Sequence, residues 1–576
     1  IYKIVDANGG ITRHQYNSFQ ELEVTVNPEG YTRKTAYNEF GQPVRITDEN
    51  GEDTFLDYDN NRNLVSLYTP GGKRLSWDYD GQDRVVSRTT PGGETVKYAY
   101  EGGVLRTITD GQGRVYTLTF NDRYDLELMQ FPNGLFRRWE YDGRGRLVQA
   151  VDVKGNVTRY AYDRADNLVR LEEPDGNVHR FEYDAMGNMV HASDNIREVR
   201  FTYGALGVLK SREQERHHIT FGYNSELQLR RIGNEAGDNY FFELDGLGQV
   251  VAETGFDGLR REYERDGAGR VTRVNRPGGK WTEYQYDGLD NILKEEQYDG
   301  EVSLYTYDKD GMLVKAKNSE NLLEFTRDRK TGLITEERQG EYTVSRTYDG
   351  EGNCTRITSS LGADIRHTYD REGNLQTMQA GESWQASWVR DNTGLEVQRT
   401  FSGGVTVCTE RDGFGREVRK SVRSGGIERG AYRYEWGIVG RLLSKENELT
   451  GTVMRYDYDR FDFLIRQETT QGSETDVIYR VPDFVGNFFG TPDRKDRKYG
   501  AGGKLLEDPD CFYHYDDEGN LIFREFKQLQ ETGVRYDRKR MEKERGIRYL
   551  ATGTGWLYEW TSNGMLKKVI RPDGRP

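Results

Sequence analysis

The chain has 576 residues, a net charge of -14, 34% hydrophobic side chains and a mean hydropathy of -0.89, and no run of about 18 apolar residues that would span a membrane. The acidic balance excludes a nucleic-acid surface built on a basic face. Three widely spaced cysteines, Cys354, Cys408 and Cys511, exclude a disulfide framework, while 12% aromatic residues argue against disorder.

From the N-terminus onward one position recurs on a nearly constant step: Tyr16, Tyr37, Tyr58, Tyr79, Tyr100, Phe120, Tyr141, Tyr162, Tyr183, Tyr203 and Tyr223. The register continues through Leu244, Arg265, Tyr286, Tyr307, Arg327, Tyr348, Tyr369, Arg390 and Arg411. It loosens at Tyr434, Tyr458 and Tyr479 and returns at Tyr515. A period this regular over nearly the whole chain excludes several unrelated domains. Aromatics alternate ahead of the tyrosine, as in Trp139/Tyr141, Phe181/Tyr183 and Tyr284/Tyr286, which predicts a strand with one apolar face. Six residues after it comes an aliphatic residue, such as Leu147, Leu168, Met189 or Leu313.

Each unit therefore reads as a hairpin. With Tyr183 opposite Met189, the loop is Ala185-Met186-Gly187, a type I turn followed by a left-handed glycine. The aspartate after the tyrosine suits the first turn position because its carboxylate accepts backbone N–H groups. The candidate residues are these structural turns: Tyr141, Asp142 and Gly145; Tyr162 and Asp163; Tyr183, Asp184 and Gly187; Tyr286 and Asp287; Tyr307 and Asp308; Tyr348, Asp349 and Gly352; Tyr369, Asp370 and Gly373. A second turn, Pro-x-Gly, returns the chain to the next hairpin and holds seven of the twelve prolines, Pro174-Asp175-Gly176 among them. Arginine replaces the tyrosine at 265, 327, 390 and 411, read as salt bridging to neighbouring acids or, more sharply, as contact with an enclosed cargo.

Hairpins joined by tight turns predict an all-β fold: one continuous antiparallel sheet of about 45–50 strands that spirals into a large hollow shell, with no helix required. Its polarity fits a thin wall wetted on both sides. At about 16 Å² per residue the chain tiles on the order of 9,000 Å²; closure, which the period does not itself show, would make of this a sphere of about 27 Å mid-wall and ~22 Å inner radius. Residues 1–483 are the regular shell, and 484–576 are irregular late repeats continuing it. A choline-binding solenoid would need frequent Gly-Trp pairs, and a β-propeller longer units.

Other chemistry is outweighed by turn formation. The acids of "DYDNNRN" (Asp57, Asp59, Asn61) and "YDDEGN" (Asp516, Asp517, Glu518) lack the glycine and downstream glutamate of an EF-hand. His217 and His218 are adjacent on a strand and point to opposite faces. Cys354 sits in the aliphatic slot after Tyr348 and reads as a small core residue. "DGFGRE" and "DGLGQV" lack the strand–helix context of a dinucleotide site. No catalytic residue, cofactor or metal is expected.

These repeats, in stretches such as "YDGRGRLVQAVDVKGNVTRYAYDRADNLVRLEEPDGNVHRFEYDAMGNMV", resemble the Rhs/YD-repeat family over essentially the whole chain. "NFFGTPDRKDRKYGAGGKLLEDPDCFYHYDDEGNLIFREF" resembles the late core of bacterial Rhs effectors, including those of type VI secretion. The resemblance implies a β-strand shell, or cocoon, that encloses a variable C-terminal toxin domain of the same polypeptide until delivery. It further implies a secreted protein, with a secretion spike protein and a chaperone as partners through an N-terminal region; the alternative is an extracellular adhesion shell of the teneurin or wall-associated kind. Bacterial members end the core with a DPxGxxG-like self-cleavage motif. Asp508-Pro509-Asp510 does not match it, so no self-cleavage residues carry over. The start at Ile1 and the end in mid-pattern at "VIRPDGRP" lead to the expectation of a piece of a longer protein, with an open or incompletely plugged shell.

Overall fold

The computed structural model describes residues 2–215 and 217–576. Forty-six strands, from Lys3–Val5 to Glu474–Tyr479, form one antiparallel sheet in which each strand pairs with its neighbours in sequence.

The unit around Tyr183 shows how the repeat builds the sheet. Tyr183 lies opposite Met189, but Glu182 lies opposite His191, so Val190 is an extra, bulged residue. His191 is level with Arg200 on the next strand. Tyr203 therefore lies two residues further along the strand direction than Tyr183. An odd shift would send successive tyrosines to opposite faces. The shift here is even, and the same bulge recurs just before Tyr141, Tyr162, Tyr307 and Tyr369.

The shift tilts the strands, and the ribbon winds until one edge meets the other. The Asn50 amide in a return turn donates to Asp287 at 2.9 Å, and its carbonyl oxygen accepts from the Gly288 N–H at 2.8 Å, 237 and 238 residues away. Along the same seam, Glu29 accepts from the Gly267 N–H (2.7 Å), Asn156 donates to the Gly413 carbonyl (3.1 Å), and Asp175 accepts from the Val439 N–H (2.8 Å). In each case a return turn of one winding meets a tyrosine-side turn of the next. The turn at 48–52 follows the fifth strand and that at 287–291 the twenty-eighth, so a winding there takes 23 strands; from 152–156 to 412–416 it takes 25.

At about 4.8 Å between strands and one residue of shift per strand, 23–25 strands close at a mid-wall radius of about 22 Å and an inner radius of about 17 Å. That is narrower than a sphere of the same residues, because the ribbon winds instead of spreading into a ball. The exposed area, 33740 Å², far exceeds the roughly 21,000 Å² of a compact protein of this mass. Among the described residues, only four hydrophobic side chains before residue 480 are buried, Leu118, Ala252, Ala386 and Ala431. The wall is one layer thick and wet on both faces.

The long sheet ends at Tyr479. A two-stranded ribbon follows (Val481–Pro482 with Phe488–Phe489), then a separate six-stranded sheet from Lys498–Tyr499 to Leu566–Ile570. This C-terminal unit holds the compact core of the molecule: Ile522, Phe523, Met541, Ile547 and Leu557, with Tyr536, Tyr549, Trp560 and Ile570 against them. It docks along the seam through ion pairs of Lys280 and Arg276 with Glu518, at 2.6 and 3.0 Å. It also contains a helix, Arg538–Arg545, against the expectation of none. Asp537 caps its first turn by accepting from the Arg540 N–H, and Gly546 ends it at φ 65°. Met541 is its one buried residue, so no apolar stripe marked "RKRMEKER" as helical.

Candidate functional site: the tyrosine slot and the turn beside it

In every candidate turn one aspartate oxygen accepts two backbone N–H groups, from the residues two and four positions on. Asp142 binds Arg144 and Arg146, Asp163 binds Ala165 and Asn167, and Asp184 binds Met186 and Asn188, all between 2.8 and 3.1 Å. Asp287, Asp308, Asp349 and Asp370 repeat the pattern between 2.8 and 3.0 Å. The loop closes through the Asp184 N–H to the Asn188 carbonyl at 2.9 Å and the Gly187 N–H to the Asp184 carbonyl at 3.1 Å. Gly145, Gly187, Gly352 and Gly373 take φ between 80° and 85°. Aspartate occupies the same left-handed position at 83, 166, 290 and 462.

In six of the seven turns the second carboxylate oxygen is also engaged. In Asp142 it accepts from the Arg146 guanidinium, which holds the acid at about 2. In Asp184 the Asn188 side-chain amide plays that part at 2.9 Å and also lowers the pKa. The donors around Asp142 and Asp184 favour the ionised form of both. They are poorly placed to move a proton at neutral pH.

The tyrosines do more than pack. The Tyr183 hydroxyl donates to the Leu168 carbonyl at 2.9 Å, 15 residues back, in the aliphatic slot of the preceding hairpin. Backbone pairing between these hairpins covers only Arg170 to Glu172. The Leu168 carbonyl therefore lies beyond the ladder, and the hydroxyl supplies the missing donor. The same bond joins Tyr141 to Leu126 (3.1 Å), Tyr162 to Leu147 (2.9 Å), Tyr286 to Val271 (2.7 Å), Tyr307 to Ile292 (2.9 Å), Tyr348 to Ile334 (2.7 Å) and Tyr369 to Cys354 (2.8 Å). Burial raises the Tyr183 hydroxyl above its ordinary pKa.

The arginine replacements follow the same rule. Arg265 donates to the Val250 carbonyl at 3.0 Å, Arg327 to Leu313 at 3.2 Å, Arg390 to Leu375 at 3.4 Å and Arg411 to Glu396 at 3.2 Å. Each also donates to the carbonyl of the glycine in its own turn, as Arg411 does to Gly415 at 2.9 Å. Where the register loosens, Trp436 rather than Tyr434 fills the slot, its indole N–H 2.7 Å from the Glu417 carbonyl. Most occupants of the slot are long side chains ending in a donor, while Phe120 and Leu244 fill it without one. Neither salt bridging nor cargo contact is needed to explain the arginines, although Arg411 also lies 3.7 Å from Glu417.

The remaining candidates are tied into the same scaffold. Asp59 caps its turn through the Asn61 and Asn63 N–H groups. Asp516 does so through Glu518 and Asn520. His217 faces Glu235 at 3.3 Å and packs against Phe461 across the seam. Cys354 stands opposite Tyr348. Among the described residues no three His, Cys, Asp or Glu side chains converge as metal ligands.

One buried site had no sequence signal. Glu525 is fully buried and accepts from the Leu550, Ala551 and Gly553 N–H groups at 2.9–3.0 Å, with His514 Nε2 at 3.1 Å. Burial pushes its pKa up, but His514 and the three amides outweigh that and hold it at about 2. It pins the segment after the helix to the sheet. Those three amides lie far ahead of Glu525 in a segment without periodicity, so spacing did not reveal them.

Comparisons place this geometry among known proteins. Residues 37–74, 58–95, 141–178 and 162–195 match the RHS Repeat family. The double-stranded DNA deaminase toxin A of Burkholderia cenocepacia (strain H111) is 28% identical over 166 residues, 27% of this chain and 11% of that protein. The crystal structure of TcdB2-TccC3 superposes with a TM-score of 0.66 at 13% identity, over 97% of this chain and 38% of that one. The Photorhabdus luminescens Tc holotoxin pore gives 0.53 at 12% identity, over 97% and 37%. At such identities the solved structures speak to fold alone. This chain spans 11% of the curated relative and less than two-fifths of either solved chain.

Proposed function

We propose that this chain, which belongs to the Rhs/YD-repeat family, is a non-catalytic shell that encloses a toxin domain carried C-terminal to it and shields that domain until delivery. The observation that carries this reading is the wound, single-layer sheet with its wet inner face. An inner radius of about 17 Å equals that of a sphere holding a folded domain of roughly 100 residues. The turn carboxylates are engaged by the backbone N–H groups of their own loops, which suits a wall and not a reaction centre. The toxin named among the relatives supports a cargo of that class, and a secreted protein follows from it. Among the described residues no helix is long and apolar enough to cross a membrane.

The test uses the full-length protein with its C-terminal domain attached. Limited proteolysis is expected to leave that domain intact while the shell is folded, and to degrade it once the shell is opened by denaturant. Cleavage of the domain at the rate of its isolated form, with the shell still folded, overturns the reading.

A further inference from the structure

The backbone ladder runs along the ribbon and stops at the seam. Among the described residues, no backbone–backbone hydrogen bond joins one winding to the next, and the hydrogen bonds across the seam use a side chain on at least one side. Among the shortest are Arg114 with the Arg371 carbonyl at 2.6 Å, Arg197 with Asp462 at 2.7 Å and Glu29 with the Gly267 N–H at 2.7 Å. None of the eleven buried hydrophobic side chains among the described residues lies on a seam turn of the long sheet. At several turns the seam is instead a close polar fit, though at Gly350 and Gly413 it is open. A Cβ on Gly288 would lie 2.6 Å from the Glu49 carbonyl oxygen, and one on Gly267 would lie 2.9 Å from Glu29. At the turns of the first winding, which meet no partner winding, Gly81 and Gly143 have nothing within 4 Å.

Two directions of very different strength follow. Separating neighbouring strands breaks a ladder of backbone bonds. Separating the windings breaks water-replaceable side-chain bonds and a few side-chain contacts, such as His217 with Phe461. It uncovers no fully buried hydrophobic side chain of the long sheet's seam turns among the described residues. We infer that the seam is the built-in opening of the shell: the windings part there, turn from turn, while the ladder of each winding stays closed. Such a gap lies along the side of the tube and admits an extended chain. That it serves an enclosed cargo rests on the shell reading above; the parting itself does not.

Disulfide staples test this on the chain without cargo. A Cβ on Gly246 lies 3.2 Å from the Ala7 Cβ, and one on Gly267 lies 3.2 Å from the Pro28 Cβ, near the roughly 3.5–4.5 Å of a disulfide. The test protein carries Ala7→Cys with Gly246→Cys and Pro28→Cys with Gly267→Cys. The control carries Thr202→Cys with Ser211→Cys, opposite one another within one winding. Amide hydrogen exchange is followed at Gly288 and Val439, whose N–H groups bond across the seam, and in the strand Val178–Tyr183. With the staples reduced, the two seam amides are expected to exchange at least tenfold faster than the strand. Oxidation is expected to slow Gly288 at least tenfold and leave the strand unchanged, while the control staple does neither. Because the reduced and oxidised forms are one polypeptide, a folding defect shows in both. Seam amides that exchange as slowly as the strand in the reduced form, or a Gly288 rate that oxidation does not change, overturn the inference. Either result leaves the cargo question to the proteolysis experiment.

Discussion

Tyr183→Phe keeps the ring and removes the donor to the Leu168 carbonyl. A single hydrogen bond at a half-buried carbonyl contributes about 1 kcal/mol, so the variant is expected to unfold at correspondingly lower denaturant. Tyr183→Arg replaces the ring but restores a donor, as Arg265 and Arg327 do in their own units. It is expected to recover part of that loss. If Tyr183→Arg unfolds below Tyr183→Phe, the slot selects for aromatic packing and the hydroxyl is incidental. The turn glycine gives a second contrast. Gly187 sits at φ 85°, where a β-branched side chain is strained by about 1–2 kcal/mol. Gly187→Val should show that loss, whereas Gly187→Asp should show less, since aspartate already occupies this position at 83, 166, 290 and 462. At this scale the sequence displayed the recurring tyrosine, aspartate and glycine. It did not display what the hydroxyl reaches, because the carbonyl belongs to the preceding hairpin and comes within range only through the bulge and the two-residue shift.

Between hairpins and helix the rules of local order differ. A strand of the long sheet is legible because every second residue repeats a role, and Pro-x-Gly marks where it turns back. The segment from Lys527 to Thr554 has no such rhythm and is held from outside, by Glu525 at one end and by Met541 and Ile547 against Phe523. Glu525 is the polar half of that hold. Glu525→Gln removes the charge that three amides and His514 address, and about 2–3 kcal/mol of stability in the C-terminal unit should go with it. The pH dependence has a definite sign. A carboxylate whose pKa is depressed to about 2 from its ordinary 4.5 stabilises the fold fully above the ordinary value, and that stability is lost as pH falls toward 2. The emission of Trp560, which packs against this core, should report a loss of unit stability between about pH 4.5 and 2 in the native chain. The slope in that window should be much flatter in Glu525→Gln. An unchanged slope would move the acid sensitivity to other carboxylates.

The whole molecule depends on a quantity the repeat length does not contain. The period of the tyrosines predicts hairpins, and polarity predicts a thin wall, but the radius follows from how far each hairpin is displaced along its neighbour. With 23–25 strands per winding and no displacement, the wall would close at a mid-wall radius of about 18 Å and leave a lumen about 26 Å across. The one-residue shift per strand widens the mid-wall radius to about 22 Å and the lumen to about 34 Å. Treating the sheet as a sphere overestimated the bore because it ignored that the ribbon meets itself after 237–265 residues, at the seam. Electron microscopy of single particles can decide among these. End-on averages should show a ring around a solvent-filled centre about 34 Å wide, the bore of the shifted ribbon. The narrower bore of an unshifted ribbon would mean that the displacement is absent in solution. A filled disc would contradict the exposed area of 33740 Å² and the single-layer wall together. The same measurement on a variant with Val190 deleted separates bulge from displacement. Tyr183 stays opposite Met189 and Glu182 opposite His191, so the shift stays at two residues and the ring should keep its width. A narrower or broken ring would mean that the bulge itself curves the wall.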